Sequence, residues 1–529
     1  MEHTLTNIPK VGWADTIQSV TLGTKSLSLE EFVAVARYNA KLTLSQEYLE
    51  RVFQSRALVE KFLDENRAIY GLTTGFGDNV RTVIPQEEAV HLQINILRSH
   101  AASVGKPMSP ECVRATWLMQ LLSLGRGVSG IRPQMLSLIV SCLNANIIPY
   151  APGEGSIQSL SVEANINLVL IGEGQAWYNG ELLPGAAALN KAGLKPLAPA
   201  CKEGLCLTNG INGATGITLI ALYDSMVGAQ TADIAAAMAY EALRGTIKGC
   251  DARLHALKHH SEQQGSAENI RNILADSRIM AKYMDSRVQD PYILRSIPQV
   301  HGAAKRFLKD AATSLIREMA SCNDNPIVWP NGNGDGEGLM GANFDGTYVG
   351  AYADTICIAD ANLGKFSERR TDRLTNRHFS GGYPPFLADN PGVNNCYMIV
   401  QYTAAGLVSE IRNLCIPATG DSIPVSANWE DPIPMAWWAA IKSKAVSEKL
   451  EYLIAIEIMV HTRAFDLTDT KVHGTFASAT IDVHDLVRSK VPYITGDRYF
   501  GSDIETTYQM VKSGEVLKTV EKRVGKLIF

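Results

Sequence analysis

The chain has 529 residues, 46% hydrophobic and 19% charged. That balance can bury a large core and excludes a disordered chain, a coiled-coil rod and a small stapled scaffold. With 49 Lys and Arg against 54 Asp and Glu, the net charge is −5. No basic cluster offers a footprint for nucleic acid, and length alone admits about three or four domain-sized units.

The opening residues, MEHTLTNIPKVGWADT, lack the charged-then-apolar layout of a secretory signal, so a cytoplasmic location is expected. The first 80 residues mix strand-like and helical pieces. SLSLEEFVAVAR carries a cap-like Ser28 with Glu31 three residues on, then an apolar face at Phe32, Val33 and Val35, which predicts a capped helix. A Gly- and Thr-rich loop, YGLTTGFGDNV, follows. From Gln86 to about Asn146 the pattern is helical, broken at Lys106-Pro107 and by the turn GVSGIRP. A loop-rich PYAPGEGS precedes the apolar run INLVLIGEGQAW.

Long helices are predicted from about 206 to 320, where TADIAAAMAYEALRG suits close packing. The run from Gly216, GITLIALYDSMVGAQTADIAAAMAY, comes nearest to the roughly 18–20 apolar residues of a membrane span. Asp224 and Asp233 interrupt it, so a buried helix is expected and no membrane association. PNGNGDGEGLMGANFDG, from Pro330 to Gly346, reads as a hairpin. Residues 348–376, 395–413 and 435–466 read as further long helices. YMIVQYTAAGLV and MAWWAAIKSKAV are apolar on more than one face, as helices buried among other helices are. The expected fold is therefore mainly α, a long central helix bundle with a mixed N-terminal portion. The expected division is 1–205, 206–470 for the bundle, and 471–529 as a more charged helical cap. The nine cysteines are scattered without a CxxC pair. Cys201 and Cys206 in CKEGLC lack partners for a zinc site, so reduced thiols and no metal are expected.

Several short stretches can carry chemistry, and each also has a plain structural reading. Tyr70 opens YGLTTGFG, where glycines let a loop approach a ligand and a phenol can act as base; a turn with a packing aromatic is the alternative. Asn209 in EGLCLTNGING can orient an amine or carboxylate, or merely shape an Asn-Gly turn. QDPYILRSIPQVHG supplies Gln289, Tyr292 and Arg295; Arg is the natural bidentate partner of a carboxylate, with a structural ion pair as the alternative. SCNDNP, with Asn325, and GANFDG, with Phe344, look like Asx-rich turns. Glu430 in SANWEDPIP and His100 in LRSHAASVG can form an acid/base pair or a polar clamp on a side chain, or be satisfied core groups.

Taken in order along the chain, YGLTTGFG, LRSHAASVG, GVSGIRP, LIGEG, EGLCLTNG, QDPYILRSIPQVHG, NDNP, GANFDG, SERRTDRL and SANWED resemble the histidine and aromatic amino-acid ammonia-lyase family, which includes aminomutases. The resemblance spans roughly residues 25 to 500. It implies a mainly helical homotetramer with active sites built from loops of three subunits, and a small amino-acid substrate. It implies that Tyr70 is the base that removes a substrate proton and that Asn209 supports the cofactor and the amine. Arg295 would clamp the α-carboxylate, with Tyr292 and Gln289 near it. Phe344 would line the cofactor, Asn325 would lie among the substrate-binding residues, and Glu430 and His100 would contact an imidazole. The implied activity is loss of ammonia from an aromatic L-amino acid, histidine first, to an α,β-unsaturated acid. An aromatic 2,3-aminomutase is the nearest enzymatic alternative.

The pattern breaks at the family's prosthetic group. Members make a methylidene-imidazolone electrophile from an internal Ala-Ser-Gly, followed by DLAPLAH. Here the matching stretch is GSIQSLSVEANINLVLIGEG, Gly155 to Gly174, which is three residues short between Gln158 and Ser159. Val162-Glu163 stands where Pro-Leu is usual, and Ser159 where Asp is usual. Trp429 replaces a frequent Gln, and Pro432 and Pro434 replace His and Ser. Either the tripeptide matured into one residue that the written sequence omits, or it is absent. In the second case a homologue that binds an amino acid, or eliminates a better leaving group, is expected.

Overall fold

The computed structural model describes residues 12–158 and 160–529. The first eleven residues, read above for a signal layout, and Ser159 lie outside it. Helices dominate, and the few strands form small sheets of two or three strands. Ser19–Leu22 pairs in parallel with Lys41–Leu44, and Val104–Pro107 pairs antiparallel with Pro152–Glu154. Gln175–Tyr178 lies between Ile148–Pro149 and Glu181–Pro184. Ile327–Pro330 and Gly336–Leu339 form the hairpin expected from the turn cluster.

The first helix, Leu29–Tyr38, begins as its sequence requires. The Ser28 hydroxyl accepts from Glu31 N at 3.1 Å and Ser28 N donates to the Glu31 carboxylate at 2.9 Å, a reciprocal box that satisfies two of the helix's orphan donors. The helical stretch from Gln86 resolves into Ala89–His100, Pro110–Leu124 and Pro133–Asn144. The breaks fall at Lys106-Pro107, which enters a strand, and at GVSGIRP.

Four long helices follow: Asn212–Ala242, Ile297–Met319, Thr347–Thr375 and Ala436–Asp466. The apolar run from Gly216 lies in the first of them. The segment Glu203–Ala242 is long and apolar enough to cross a membrane, yet 94% of its apolar window is buried inside the fold. All nine cysteines are free thiols.

The chain divides into two compact units. The first comprises Met1–Ile220, Ala312–Asp354 and Pro417–Ile441; the second comprises Ala221–Ala311, Thr355–Ile416 and Lys442–Phe529. Each long helix contributes a segment to both. In the first unit small residues let backbones close in. A Cβ on Gly216 would meet the Ala115 backbone at 2.9 Å, and one on Gly350 would meet Thr419 at 2.0 Å. In the second unit Gly364 lies against Leu453, and Arg370 pairs with Glu457, both fully buried.

Candidate active site

A cavity of about 750 Å³ lies within the first unit. Tyr70, His100, Asn209, Asn325, Phe344 and Glu430 all line it, although they come from six separate stretches. Gln289, Tyr292 and Arg295 do not; they belong to the second unit. A second cavity of similar volume in the first unit is lined by Arg126, Glu318, Trp329 and Tyr348 among others, and takes in none of the candidates.

Tyr70 stands in the turn after the helix Gln46–Asp64. Gly71 follows at φ +64°, where a Cβ would strike Leu205 at 2.5 Å, so only glycine serves there. Gly77 N donates to the Tyr70 hydroxyl at 3.0 Å, and Phe76 meets the ring edge-on at 6.1 Å. These contacts fix the phenol's position.

Gln93 ties three site elements together. It is fully buried on Ala89–His100, the helix that ends at His100. Its amide donates to Gly71 O at 3.2 Å and accepts from Leu205 N at 3.2 Å. Leu205 lies on the short helix Glu203–Thr208, whose C-cap is Asn209. One buried amide thus joins the tyrosine loop, the His100 helix and the Asn209 helix. His100 bonds Ser99 Oγ at 3.0 Å. Burial lowers its pKa, so the ring is neutral at pH 7.

The Asn209 amide donates to Asn325 O at 3.1 Å and to the Asp324 carboxylate at 3.4 Å. Asp324 in turn holds Lys202 at 2.6 Å, with both side chains almost wholly buried. Burial works against the Lys202 cation, but Asp324 and the Cys206 sulfur outweigh it and hold its pKa above the usual lysine value. A paired buried charge of this kind is costly to break, so the Asn209 amide rests on a rigid base. Sequence reading took Asp324 for a turn residue and passed over Lys202. The two lie 122 residues apart, and nothing local signals their pairing. Asn325 Oδ1 accepts from Gly341 N at 2.9 Å, which fixes the loop leading to Phe344.

Glu430 sits on a loop closed by paired backbone bonds with Val425, at 3.2 and 3.4 Å. Trp429 Nε1 donates to Asp78 at 2.7 Å, tying this loop to the tyrosine loop. Burial raises the Glu430 pKa. Among the described lining residues Glu430 is the one carboxyl, and there is no Lys or Arg.

In the second unit, Arg295 ends the short helix Tyr292–Arg295 and stacks over the Tyr292 ring at 4.5 Å. Its Nε is buried without a hydrogen-bond partner. Tyr292 is 70% exposed and Gln289 is exposed.

Within a mainly helical fold, a phenol, two amides, a carboxyl and an imidazole line one cavity, a set of groups able to bind a small polar molecule and move protons on it. The family model for aromatic amino acid lyases matches residues 27–489. The histidine ammonia-lyase of Symbiobacterium thermophilum is 41% identical over 97% of this chain and 100% of its own length. The structure of a tyrosine aminomutase from Streptomyces globisporus has TM-score 0.88 at 31% identity, covering 96% of this chain and 99% of that one. The ergothioneine-degrading enzyme Ergothionase of Treponema denticola, solved with desmethyl-ergothioneine sulfonic acid, has TM-score 0.84 at 26% identity, covering 94% and 99%. The chain belongs to the aromatic amino acid lyase family, a family of carbon–nitrogen lyases.

The family's methylidene-imidazolone is built from three consecutive residues of the chain itself, so its fit can be tested here. No Ala-Ser-Gly occurs in the sequence. In the matching stretch, Ile157 O accepts from Trp437 N at 2.9 Å, and the Gln158 side-chain oxygen accepts from Gly346 N at 3.0 Å. Gln158 lines the cavity and is only 6% exposed. Glu163, on the helix Ser161–Asn167, is fully buried and accepts from Gly213 N at 2.9 Å. The segment is anchored on both sides, with a glutamine amide filling its wall. The residues present do not fit the group. Among the described residues, no cluster of His, Cys, Asp or Glu is arranged to hold a metal ion.

Proposed function

We propose that the chain removes the α-nitrogen from an aromatic L-amino acid and leaves an α,β-unsaturated acid. Histidine is the first candidate, and ammonia is the amine that the relatives' names give. The observation that carries this reading is the convergence of Tyr70, His100, Asn209, Asn325, Phe344 and Glu430 on one cavity, within a chain 41% identical to a histidine ammonia-lyase.

In this reading the Tyr70 oxygen, fixed by Gly77 N and Phe76, takes the substrate's β-proton. Asn209, immobilised by Asn325 and Asp324, positions the α-nitrogen. Glu430 and neutral His100 bond the ring nitrogens, Glu430 as acceptor and His100 as either partner. Phe344 packs the ring. The described lining residues include no cation for the α-carboxylate, and Arg295, with Tyr292 and Gln289, fills that role from another copy of the chain. That assignment follows from the resemblance and favours a homotetramer, with a cytoplasmic location.

The test is to follow the absorbance of the unsaturated acid with histidine, phenylalanine and tyrosine, each also N-trimethylated, with Tyr70→Phe as control. A chromophore lost in the variant supports the reading; none from any substrate overturns it. The aminomutase neighbour motivates a second reading, in which the amine re-adds at Cβ. Chromatography decides between them, since a β-amino acid product excludes simple lyase action.

A further inference from the structure

The mismatch between the family's electrophile and this chain points to a particular class of substrate. A free amino acid confronts a lone base with two acidic sites. Its ammonium N–H is far more acidic than its β-C–H. The base therefore takes the nitrogen proton first, and a neutral amine does not leave. An electrophile solves this by occupying the nitrogen. The same end is reached when the nitrogen carries no proton at all.

The cavity wall bears on which solution this chain uses. The described residues on either side of the expected tripeptide position are held by backbone donors: Trp437 N holds Ile157, Gly346 N holds Gln158, and Gly213 N holds Glu163. A Cβ on Gly346 would already meet Ala436 at 2.6 Å and Ile211 at 2.8 Å, so Gly346, the donor to Gln158, is itself tightly packed. The lining suits a fixed cation. Among the described lining residues there is no Lys or Arg, and Tyr70, Phe76 and Phe344 supply aromatic rings, side chains whose faces attract quaternary ammonium groups. Both hydrogens of the Asn209 amide are directed at Asn325 O and Asp324. Asn209 therefore offers a ligand its carbonyl oxygen, an acceptor suited to a cation.

We infer that this site works without an electrophile on aromatic amino acids whose α-nitrogen is quaternary, that is, on Nα-trimethyl betaines. The inference rests on the proposed carbon–nitrogen lyase reading and names its substrate class. The step balances without a co-reactant. Tyr70, as phenolate, takes the β-proton. The Cβ–H electron pair becomes the Cα–Cβ π bond. The Cα–N bond breaks with both electrons going to nitrogen, which departs as neutral trimethylamine. The phenol then returns its proton to water.

The experiment offers the purified full-length protein histidine, phenylalanine and tyrosine, each free and Nα-trimethylated. It identifies both the acid and the amine released, and records intact mass before and after borohydride, which quenches an imidazolone electrophile. The expected result is a mass equal to the written sequence and trimethylamine from a betaine. That betaine should turn over about 10²-fold or more faster than its free amino acid, the size of one lost catalytic contribution, with no loss after borohydride. Ammonia from a free amino acid within tenfold of its betaine, or a mass higher by a cyclised, dehydrated tripeptide, overturns the inference and leaves the lyase reading standing. No unsaturated acid from any of the six overturns both.

Discussion

Glu163 stands where the family resemblance implies an apolar residue, and burial pushes its carboxyl up to about 7 from an ordinary 4.5, against hydrogen bonds from Gly213 and neighbouring backbone that favour the anion. The folded state therefore holds a proton that the unfolded state releases between those two values. Stability from this group is fully present below about 4.5 and is lost as pH rises through about 7. Glu163→Gln keeps an acceptor for Gly213 N and abolishes the titration. Urea unfolding at pH 5 and pH 8 should show the variant gaining on wild type by up to about 3 kcal/mol as pH rises. Parallel pH profiles for the two proteins would show that Glu163 does not titrate as described. Tyr70→Phe tests the chemistry itself. The turnover number should fall by about 10²–10⁴-fold, with the unfolding midpoint nearly unchanged, because among the described residues the lost hydroxyl bonds Gly77 N alone. Tyr70, Asn209 and Glu430 are legible through the order of motifs that carries the family resemblance; locally each also fits a turn or a satisfied core group. Gln93, Lys202 and Asp78 are not. Each acts through a partner far along the chain, 351 residues away for Asp78 and Trp429, and a glutamine or lysine on a helical stretch carries no local mark of such a role.

At the scale of elements, the helices expected at 348–376, 395–413 and 435–466 appear as Thr347–Thr375, Met398–Leu414 and Ala436–Asp466. They are legible because each is apolar on several faces and lies between clusters of turn residues. The stretch from 206 to 320 is less regular than its sequence suggests. Between Ala242 and Ile297 the chain folds into short helices, among them Ser261–Ile273 and Arg278–Tyr283. Gly245, Gly249 and Pro291 interrupt any longer run, and hydrophobic composition outweighs these breakers when the stretch is read as a whole. One small strand escapes notice for a related reason. Val104–Pro107 is fully exposed along its length, so it lacks the alternating apolar face that announces a strand. The Ser28 cap is the opposite case, a local signal realised locally. Ser28→Ala should cost about 0.5–2 kcal/mol in thermal or urea unfolding, and Ser28→Asp should recover most of it. Equal loss in both variants would place the effect outside the cap.

The whole molecule raises the question of how the substrate's carboxylate is held. The cavity lining carries no Lys or Arg among the described residues, and an α-carboxylate left unpaired in such a space is costly. Arg295 has the complementary lack. Its Nε is buried without a partner, and its guanidinium is braced on Tyr292, which is 70% exposed. A bidentate guanidinium is the side chain suited to close such a site, and the resemblance brings it from a second copy. Complementation tests this directly. Tyr70→Phe and Arg295→Ala should each be nearly inactive, the second with a raised KM as well. Co-expressed in one cell, the two variants can assemble sites that take Tyr70 from one copy and Arg295 from another, and such sites are intact. Activity should therefore return in the mixed preparation and stay absent when the separately purified variants are mixed without unfolding, provided the assembly does not exchange subunits. If the co-expressed protein is as inactive as its parents, while wild type co-expressed with either variant is active, then both residues must come from the same copy. The carboxylate clamp would then have to be sought elsewhere on the chain.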